Sequence, residues 1–266
     1  MTKFSLDGKV AIVTGSSSGI GKKIAFALAK NGAHIIVTSR AYERAAKVAE
    51  EIVQQGGRAM PYSFELEHHR SGERLLNNVS DQLKKIDILV NNAISRETIA
   101  PARFSDLQND NLTSVITANL TNTMYFTSQA YPYLKLTKGI VLNIGSVIVN
   151  RHVTGLLLYS VVKGAISQFT KGLSSEWADN GIRINQINPG FVATDSTADR
   201  YPERILKEYK VQLQDHHPLG RIGKSKDIAE LAAYMVSDEA RWMTGAIVDM
   251  DGGYSIQGVP FPLLDC

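Results

Sequence analysis

The chain lacks most of the features that mark a secreted, metal-bound or membrane-spanning protein. It contains a single cysteine, Cys266, so neither an internal disulfide nor a cysteine metal cluster can form. The N-terminal segment has no apolar core of a signal peptide, and no apolar run approaches the length of a membrane span. We therefore expect a soluble cytoplasmic protein with no membrane partner.

Charge of one sign is also scarce. Lys and Arg number 29 against 26 Asp and Glu, and the formal net charge of +3 is too small to indicate nucleic acid as a partner. The adjacent pairs His68-His69 and His216-His217 cannot face one metal ion from the same side of a helix or strand. We predict that these histidines are solvated loop residues and that the chain has no metal site.

What the sequence does have is an alternation of short apolar runs with helical patterns. Apolar runs of this kind, separated by helices, are typical of a parallel sheet that is covered on both faces. We predict an α/β fold, a doubly wound parallel sheet of the Rossmann type, in one domain over residues 1–266. The predicted strands are residues 9–14, 33–39, 58–64, 87–93, 139–146, 182–190 and 246–250.

Other regions are expected to be less regular. Pro61 suggests that the third strand is an edge strand or ends irregularly, and we expect the long helix that ends near Lys135 to break near Pro132. Residues 191–224 are predicted to form a substrate loop with short helices. The apolar tail, residues 254–266, is predicted to cover a partner's cleft or an interface, and disorder is the alternative.

The segment VTGSSSGIGKKIA (13–25) connects the first strand to the first helix. Glycine lets the main chain approach a pyrophosphate, which the helix N-terminus then attracts. The spacing Gly-x-x-x-Gly-x-Gly differs from the general fingerprint, and a flexible turn is the alternative. We predict a dinucleotide site here, with contacts from Gly15, Ser17, Ser18, Gly19, Ile20 and Gly21.

The end of the second strand indicates which dinucleotide binds. It reads Thr38-Ser39-Arg40, with no acidic residue for the ribose 2′-hydroxyl of NAD. An arginine can pair with a 2′-phosphate, so Ser39 and Arg40 favour NADP over NAD, unless Arg40 points into solvent. Glu65 and Leu66, after the third strand, are predicted to contact the adenine; a solvated carboxylate is the alternative for Glu65.

Tyr159 and Lys163 lie four residues apart on a predicted helix, so they share one face. Ser146 ends the preceding strand and points toward the carboxyl edge of the sheet, where ligands bind. Asn119 lies on the helix before that strand. A Tyr-x-x-x-Lys pair alone can be an ordinary surface pair, and the other residues give it its significance.

These motifs together resemble the short-chain dehydrogenase/reductase family. The shared residues are TGSSSGIG (14–21), NNA (91–93), Asn119, Ser146, YSVVK (159–163) and PG (189–190). The resemblance implies an NADP(H)-dependent oxidoreductase, which transfers hydride between the nicotinamide and a carbonyl or alcohol substrate, and a homotetramer. It also implies further cofactor contacts from Asn91, Asn92, Ala93, Pro189, Gly190, Val192 and Thr194.

The resemblance assigns a role to each of four residues. Tyr159 is the acid in reduction and the base in oxidation, and Ser146 hydrogen-bonds the substrate carbonyl. Lys163 holds the nicotinamide ribose and lowers the pKa of Tyr159. Asn119 holds a water that links Lys163 to solvent. Tyr159 and Lys163 are thereby also cofactor contacts.

Electrostatics supports the pairing of the phenol with the amine. A free tyrosine has a pKa of about 10, and lowering it by about 3 requires about 4 kcal/mol. An ammonium about 4 Å away supplies about that much at an effective dielectric constant of about 20. Burial of the phenol acts in the opposite direction. We therefore expect Lys163 to lower the pKa of Tyr159, helped by the positive ring of an oxidised nicotinamide.

Three positions depart from the family pattern. Ile94 stands where the family usually has glycine, so the pocket is expected to be narrower or its loop shifted. Gly145 stands where many relatives have serine, while the catalytic Ser146 is retained. Ser175 stands where relatives that act on acyl-carrier-protein thioesters often carry arginine. This last departure weakens one alternative function, 3-oxoacyl-[acyl-carrier-protein] reductase. A non-enzymatic NADPH-binding sensor or scaffold is the other alternative.

The predicted substrate side is mainly apolar, which suits a hydrophobic carbonyl compound, although helix-packing residues would look the same. The predicted substrate contacts are Ser146, Ile148, Leu156 and Tyr159. The other apolar residues of this side are Ile94, Val153, Leu157 and Leu158, and its polar exceptions are Arg96, Arg151 and His152.

Overall fold

The computed structural model describes residues 4–95, 98, 100–194 and 216–257. Its strands are β1 Val10–Val13, β2 His34–Ser39, β3 Arg58–Ser63, β4 Ile88–Asn91, β5 Ile140–Ile144, β6 Arg183–Pro189, β7 Val192–Ala193, β8 Gly223–Lys224 and β9 Ile247–Met250. Seven of them form a parallel central sheet in the order β3-β2-β1-β4-β5-β6-β9, and β7 and β8 pair separately.

The central strands form because their residues are apolar on both faces. All four residues of β1 are buried, and Val13 pairs in register with Val37 of β2 and Val90 of β4. A strand buried on both sides needs helices above and below the sheet. The predicted doubly wound parallel sheet is therefore confirmed. Pro61 lies in β3, at the sheet edge, where a missing backbone N–H is tolerated.

Helices cover the sheet in two layers. The helices of the described residues are α1 Gly19–Lys30, α2 Tyr42–Gln54, α3 His69–Leu83, α4 Asn109–Ile116, α5 Asn122–Thr137, α6 Leu157–Trp177 and α7 Ser225–Met235. Residues of α1, α2 and α7 pack into one apolar core, and residues of α3, α5 and α6 pack into the other.

The expected break at Pro132 is wrong. Helix α5 continues through Pro132 to Thr137. Pro132 and Ser128, whose carbonyl loses its helical partner, are both exposed, so water can satisfy that carbonyl. The irregularity lies earlier, in a π-helical turn over Thr117–Thr121 that joins α4 to α5. Turns of this kind are frequent at functional sites.

The expectation for His217 is also wrong. Its side chain is 3% exposed and stacks on the ring of Tyr254, with the ring centroids 5.0 Å apart. Tyr254 belongs to the C-terminal segment, so the burial comes from a contact distant in sequence. No helix in the described ranges has the length and apolar character needed to cross a membrane. Residues 195–215 of the predicted substrate loop and 258–266 of the tail lie outside the described residues.

Candidate active site

The turn between β1 and α1 is fixed by hydrogen bonds to the end of β2. Gly15 N donates to Thr38 Oγ1 at 3.0 Å, and Ser16 N donates to the carbonyl oxygen of Thr38 at 2.9 Å. Gly15 and Gly19 adopt φ values of +64° and +56°, a left-handed backbone that residues with a side chain rarely adopt. Glycine at these two positions is therefore what allows the turn.

Gly21 is required for space rather than for backbone angle. A Cβ atom at Gly21 would lie 2.5 Å from the Gly15 carbonyl oxygen and would also meet Asn92 Nδ2. Asn92 Nδ2 donates to the carbonyl oxygens of Thr14 and Gly15 at 2.9 and 3.1 Å. The amide of Asn92 thus holds the glycine turn against the segment that follows β4.

The start of α1 suits an anionic ligand. Ser18 precedes the helix and makes no side-chain capping hydrogen bond, and the first turn contains no acidic residue. Backbone N–H groups at a helix start lack intrahelical partners and carry partial positive charge, so they attract anions. Together with the close approach that Gly21 permits, this cradle fits the pyrophosphate of a dinucleotide.

A cleft of about 690 Å³ extends from this turn to the start of α6. It is lined by residues from the carboxyl edges of the strands, which is where ligands bind in doubly wound sheets. Of the predicted cofactor residues, the cleft is lined by Gly15, Ser17, Ser18, Gly19, Ile20, Gly21, Ser39, Arg40, Leu66, Asn92, Ala93, Tyr159, Lys163, Pro189, Gly190, Val192 and Thr194.

Two predicted cofactor residues lie outside the described lining of the cleft. The Glu65 carboxylate lies 3.3 Å from His68 Nε2. Asn91 is buried, and its Nδ2 donates to Thr127 Oγ1 and Asn143 Oδ1, both at 2.9 Å. Asn91 therefore supports the sheet, and the adenine contact of Glu65 stays a prediction.

Arg44 is a cleft residue that the sequence analysis missed. It lies in the first turn of α2, four residues after Arg40, and both arginines line the cleft beside Ser39. Ser17 Oγ donates to Ser39 Oγ at 3.1 Å, which ties the glycine turn to this corner. The sequence could have predicted this contact, because Arg44 follows Arg40 by four residues at the start of a helix. That spacing brings two side chains close together.

Ser146 and Tyr159 meet at the other end of the cleft. Ser146 follows β5 and begins a 3₁₀ turn over Val147–Val149, where its Oγ accepts a hydrogen bond from Ile148 N at 3.3 Å. Tyr159 lies in the first turn of α6, close enough to Ser146 for the serine hydroxyl to favour a lower pKa of the phenol. Both residues line the cleft, so two hydroxyl groups can reach one ligand oxygen.

Lys163 lies one turn further along α6, close to the phenol. Its Nζ donates to the carbonyl oxygen of Ile144 at 2.6 Å and lies 5.8 Å from the centroid of the Tyr159 ring. The residue is only 8% exposed. Burial lowers the pKa of Lys163 to about 8, because a charged amine is poorly solvated there.

The expectation that the pKa of Tyr159 is lowered is wrong. Burial raises the pKa of Tyr159, and the hydrogen bond from Ser146 lowers it by less. Desolvation of the phenolate therefore outweighs the neighbouring polar groups. Near neutral pH, Tyr159 keeps its proton while most of Lys163 is charged. A protonated phenol next to an ammonium suits proton donation, because the ammonium stabilises the phenolate that forms.

Similar proteins match nearly the whole chain. The model of a family described as Enoyl-(Acyl carrier protein) reductase matches residues 15–255. The 3-oxoacyl-[acyl-carrier-protein] reductase FabG of Aquifex aeolicus (strain VF5) is 35% identical over 94% of this chain and 99% of its own. An uncharacterized oxidoreductase of Methylorubrum extorquens is 33% identical, over 93% of this chain and 98% of its own.

Comparison with solved structures also shows similarity over nearly the whole chain. A crystal structure of a putative short-chain alcohol dehydrogenase from Sinorhizobium meliloti 1021 superposes with a TM-score of 0.87 at 30% identity, covering 94% of this chain and 98% of the other. The chain belongs to the short-chain dehydrogenase/reductase family. As a member of this family it is an oxidoreductase, and the nicotinamide cofactor of the family fits the glycine cradle described above.

Asn119, the fourth residue of the predicted catalytic set, lies outside the described lining of the cleft. It is buried on the π-helical turn, and its Nδ2 donates to Ser95 Oγ, Thr98 Oγ1 and the Val115 carbonyl oxygen at 2.5–3.0 Å. Its Oδ1 accepts from Ser95 N at 2.8 Å. The side chain thus holds the segment after Ile94, and the relay through Asn119 to Lys163 stays a prediction.

The predicted substrate residues separate into groups. Leu156 and Ile94 line the cleft with Ser146 and Tyr159, so the isoleucine at the family's glycine position faces the ligand space. Ile148 is 5% exposed and lies outside the described lining of the cleft. A separate groove is lined in part by His152, Val153 and Leu157.

Arg151 is also outside the described lining of the cleft. Its guanidinium stacks on Tyr254, 4.3 Å from the ring centroid, and Nη1 donates to the Tyr254 carbonyl oxygen at 2.7 Å. It therefore ties the segment after Ser146 to the C-terminal part of the chain. Leu158 is half-buried on α6, and Arg96 lies outside the described residues.

Proposed function

We propose that this oxidoreductase is an NADP(H)-dependent carbonyl reductase, which in reverse acts as an alcohol dehydrogenase. The observation that carries the proposal is that Ser146, Tyr159 and the buried Lys163 line one cleft, which begins at the uncapped start of α1. The glycine end of this cleft suits the pyrophosphate of a dinucleotide, and the other end suits its nicotinamide beside a carbonyl group.

The residues divide the reaction between them. When bound, NADPH supplies the hydride that reduces the carbonyl carbon. Ser146 donates a hydrogen bond to the carbonyl oxygen and holds it in place. Tyr159 transfers its phenolic proton to that oxygen as negative charge develops there. The ammonium of Lys163 stabilises the phenolate that remains, and reprotonation of Tyr159 completes the cycle.

Two arginines support the choice of NADPH. Arg40 and Arg44 line the corner of the cleft next to Ser39, and β2 ends without an acidic residue. A 2′-phosphate accepts charge-assisted hydrogen bonds from guanidinium groups. The adenosine of NADH offers this corner only a hydroxyl group, so NADPH should bind more tightly.

The test is a panel of ketones, aldehydes and alcohols measured with NADPH and NADH at the absorbance band of the reduced nicotinamide. We expect turnover of hydrophobic carbonyl compounds with NADPH and weaker activity with NADH. Tight NADPH binding without turnover across the panel would instead favour a cofactor-binding sensor or scaffold. Equal activity with both cofactors would remove the assignment of Arg40 and Arg44.

A second candidate is reduction of 3-oxoacyl-[acyl-carrier-protein]. The 35% identity to the Aquifex aeolicus reductase over 94% of the chain favours it. Ser175, exposed on α6, counts against it because relatives with that activity often carry arginine there. A 3-oxoacyl thioester on carrier protein, compared with the same acyl group as a small thioester, separates the two. A strong preference for the carrier-bound form would favour this second candidate.

We also propose that the chain assembles as a homotetramer. Helices α5 and α6 expose several large apolar side chains, and exposed apolar groups on neighbouring helices are typical of subunit interfaces. Light scattering coupled to size-exclusion chromatography tests this directly, and a monomer mass would contradict it. The residues concerned are Met124, Tyr125, Leu157 and Val161.

A further inference from the structure

Ser146 is held in place by a side chain from the neighbouring strand. Ser146 N donates to Asn188 Oδ1 at 3.1 Å, and Asn188 is fully buried near the end of β6. Gly145, just before Ser146, donates its N–H to the Ile187 carbonyl oxygen at 2.7 Å. The side chain of Asn188 therefore binds the main chain of Ser146, the residue that carries the catalytic hydroxyl.

Gly145 makes room for this contact. A Cβ atom at Gly145 would clash with Asn188 Oδ1 and with Gln186 Nε2. Many relatives have serine where this chain has Gly145. In this chain the asparagine amide occupies space that a serine side chain would need, so Gly145 and Asn188 form a matched pair.

The orientation of the Asn188 amide is itself fixed from two sides. Gln186 Nε2 donates to Asn188 Oδ1 at 2.7 Å, and Asn188 Nδ2 donates to Asp249 Oδ1 at 2.8 Å. The amide has only one orientation that satisfies both contacts, because its oxygen must accept from Ser146 N and its NH₂ group must donate to the Asp249 carboxylate. Flipping it would set an NH₂ group against two donors.

Asp249, on β9, also binds the other end of the turn that starts at Ser146. Its Oδ2 accepts from Asn150 Nδ2 at 2.7 Å. The 3₁₀ turn over Val147–Val149 is thus bracketed by one carboxylate, directly at Asn150 and through Asn188 at Ser146. A residue far along the chain from Ser146 can therefore set where the hydroxyl lies.

We propose that Asn188 is a positioning residue for catalysis, which holds Ser146 at the substrate oxygen and takes its own orientation from Asp249. The inference rests on the proposed function, because it assigns Asn188 to the reaction that uses Ser146. It concerns the catalytic end of the cleft alone, since neither Asn188 nor Asp249 lines the glycine cradle among the described residues.

An exchange of the two side chains tests the proposal. Asn188→Asp alone places two carboxylates face to face, and we expect kcat to fall about 30-fold with NADPH affinity nearly unchanged. The double variant combines Asn188→Asp with Asp249→Asn. Its carboxylate at position 188 still accepts from Ser146 N and also accepts from the amide introduced at position 249. We expect the double variant to recover to within about 3-fold of the wild type.

A second, milder change keeps the test valid if Asn188→Asp fails to fold. Asp249 is exposed, so Asp249→Ala should fold, and we expect a fall in kcat of about 5-fold with little change in KM. The pH at which alcohol oxidation is half-maximal should rise, because a displaced Ser146 no longer lowers the pKa of Tyr159. The matched control is Asp179→Ala, an exposed aspartate at the far end of α6.

A measurement independent of activity separates this proposal from the proposed function. Hydrogen exchange at the Ser146 amide should speed up in Asp249→Ala and stay unchanged in Asp179→Ala. If the wild type turns over no substrate but this exchange result holds, the proposed function fails and the contact stands. If the wild type is active and the exchange, the kcat and the pH profile of Asp249→Ala all match the control, the positioning role is wrong. Failure of the double variant to recover would also overturn it.

Discussion

The two ends of the cleft present different kinds of surface to a ligand. At the glycine turn, side chains such as Thr38 and Asn92 hold the backbone, and the backbone then forms the binding surface. At the start of α6, the backbone holds a side chain, since the Ile144 carbonyl oxygen binds Lys163, and the side chains form the reactive surface. Substitutions at the first end should therefore remove binding, and substitutions at the second end should remove chemistry.

Loss of the phenolic hydroxyl should have the greatest consequence. Tyr159→Phe removes the proton donor and leaves the ring, so we expect kcat to fall by about 10³-fold. The dissociation constant of NADPH should change by less than about 2-fold, because the glycine cradle is untouched. Steady-state kinetics and fluorescence titration measure the two quantities. Tyr133→Phe on α5, which removes a phenolic hydroxyl that donates to Asn77 Oδ1 outside the cleft, is the control. If NADPH affinity and kcat fell by the same factor, the claim that binding and chemistry depend on different ends of the cleft would be wrong.

Gly21→Ala tests the binding end. The new Cβ would meet the Gly15 carbonyl oxygen and the Asn92 amide, so the turn must shift. We expect NADPH affinity to fall about 100-fold, as a backbone cradle cannot adapt by rotating a side chain. Gly172→Ala on α6 is the control, because a Cβ there meets no atom within 4 Å. Unchanged NADPH affinity in Gly21→Ala would show that the cradle does not hold the dinucleotide.

A third substitution separates the two nicotinamide cofactors at the binding end. Arg40→Asp should weaken NADPH binding about 30-fold and NADH binding by less than about 3-fold, because only NADPH carries the 2′-phosphate. Arg44→Gln should produce a smaller loss in the same direction. Titration of both cofactors at several salt concentrations should show that the NADPH loss shrinks at high salt. Losses of equal size for the two cofactors would contradict the assignment.

The smallest expected effect is on how the free energy of unfolding depends on pH, through the buried Lys163. The pKa of Lys163 is about 8 in the fold and 10.5 when unperturbed, so the unfolded chain binds more protons between those values and stability rises with pH there. Relative to Lys163→Met, the wild type should gain about 1 kcal/mol between pH 7 and pH 9. Urea unfolding of both proteins at each pH measures this difference. Parallel curves would show that Lys163 is not held in a poorly solvating site.

The sheet and the position of the cleft could be predicted from the sequence because those features depend on local patterns. Buried strands such as β1 are apolar at every position, and the glycine turn is a contiguous segment. The predicted break at Pro132 was wrong because it depends on whether the freed carbonyl faces solvent. That exposure is set by how α5 packs, which the local pattern does not show.

The features that could not be predicted all involve distant contacts or competing energies. The burial of His217 against Tyr254 and the link from Asp249 through Asn188 to Ser146 join residues far apart in the chain. Burial raises the pKa of Tyr159 by more than Ser146 lowers it, and sequence spacing gives no measure of how deeply the phenol is buried. Local patterns thus predict which side chains meet in the cleft but not how those side chains are held.

In the proposed reaction, the nicotinamide delivers a hydride and Tyr159 delivers a proton to one carbonyl group at the catalytic end of the cleft. Deuterium from NADPH labelled at the transferable position of C4 can be followed into the alcohol product. We expect wild-type protein to place one deuterium on the carbinol carbon for each NADPH oxidised, and Tyr159→Phe to bind labelled NADPH while forming almost no labelled alcohol. Oxidation of NADPH without label in the alcohol, or equal labelling by Tyr159→Phe, would contradict this mechanism.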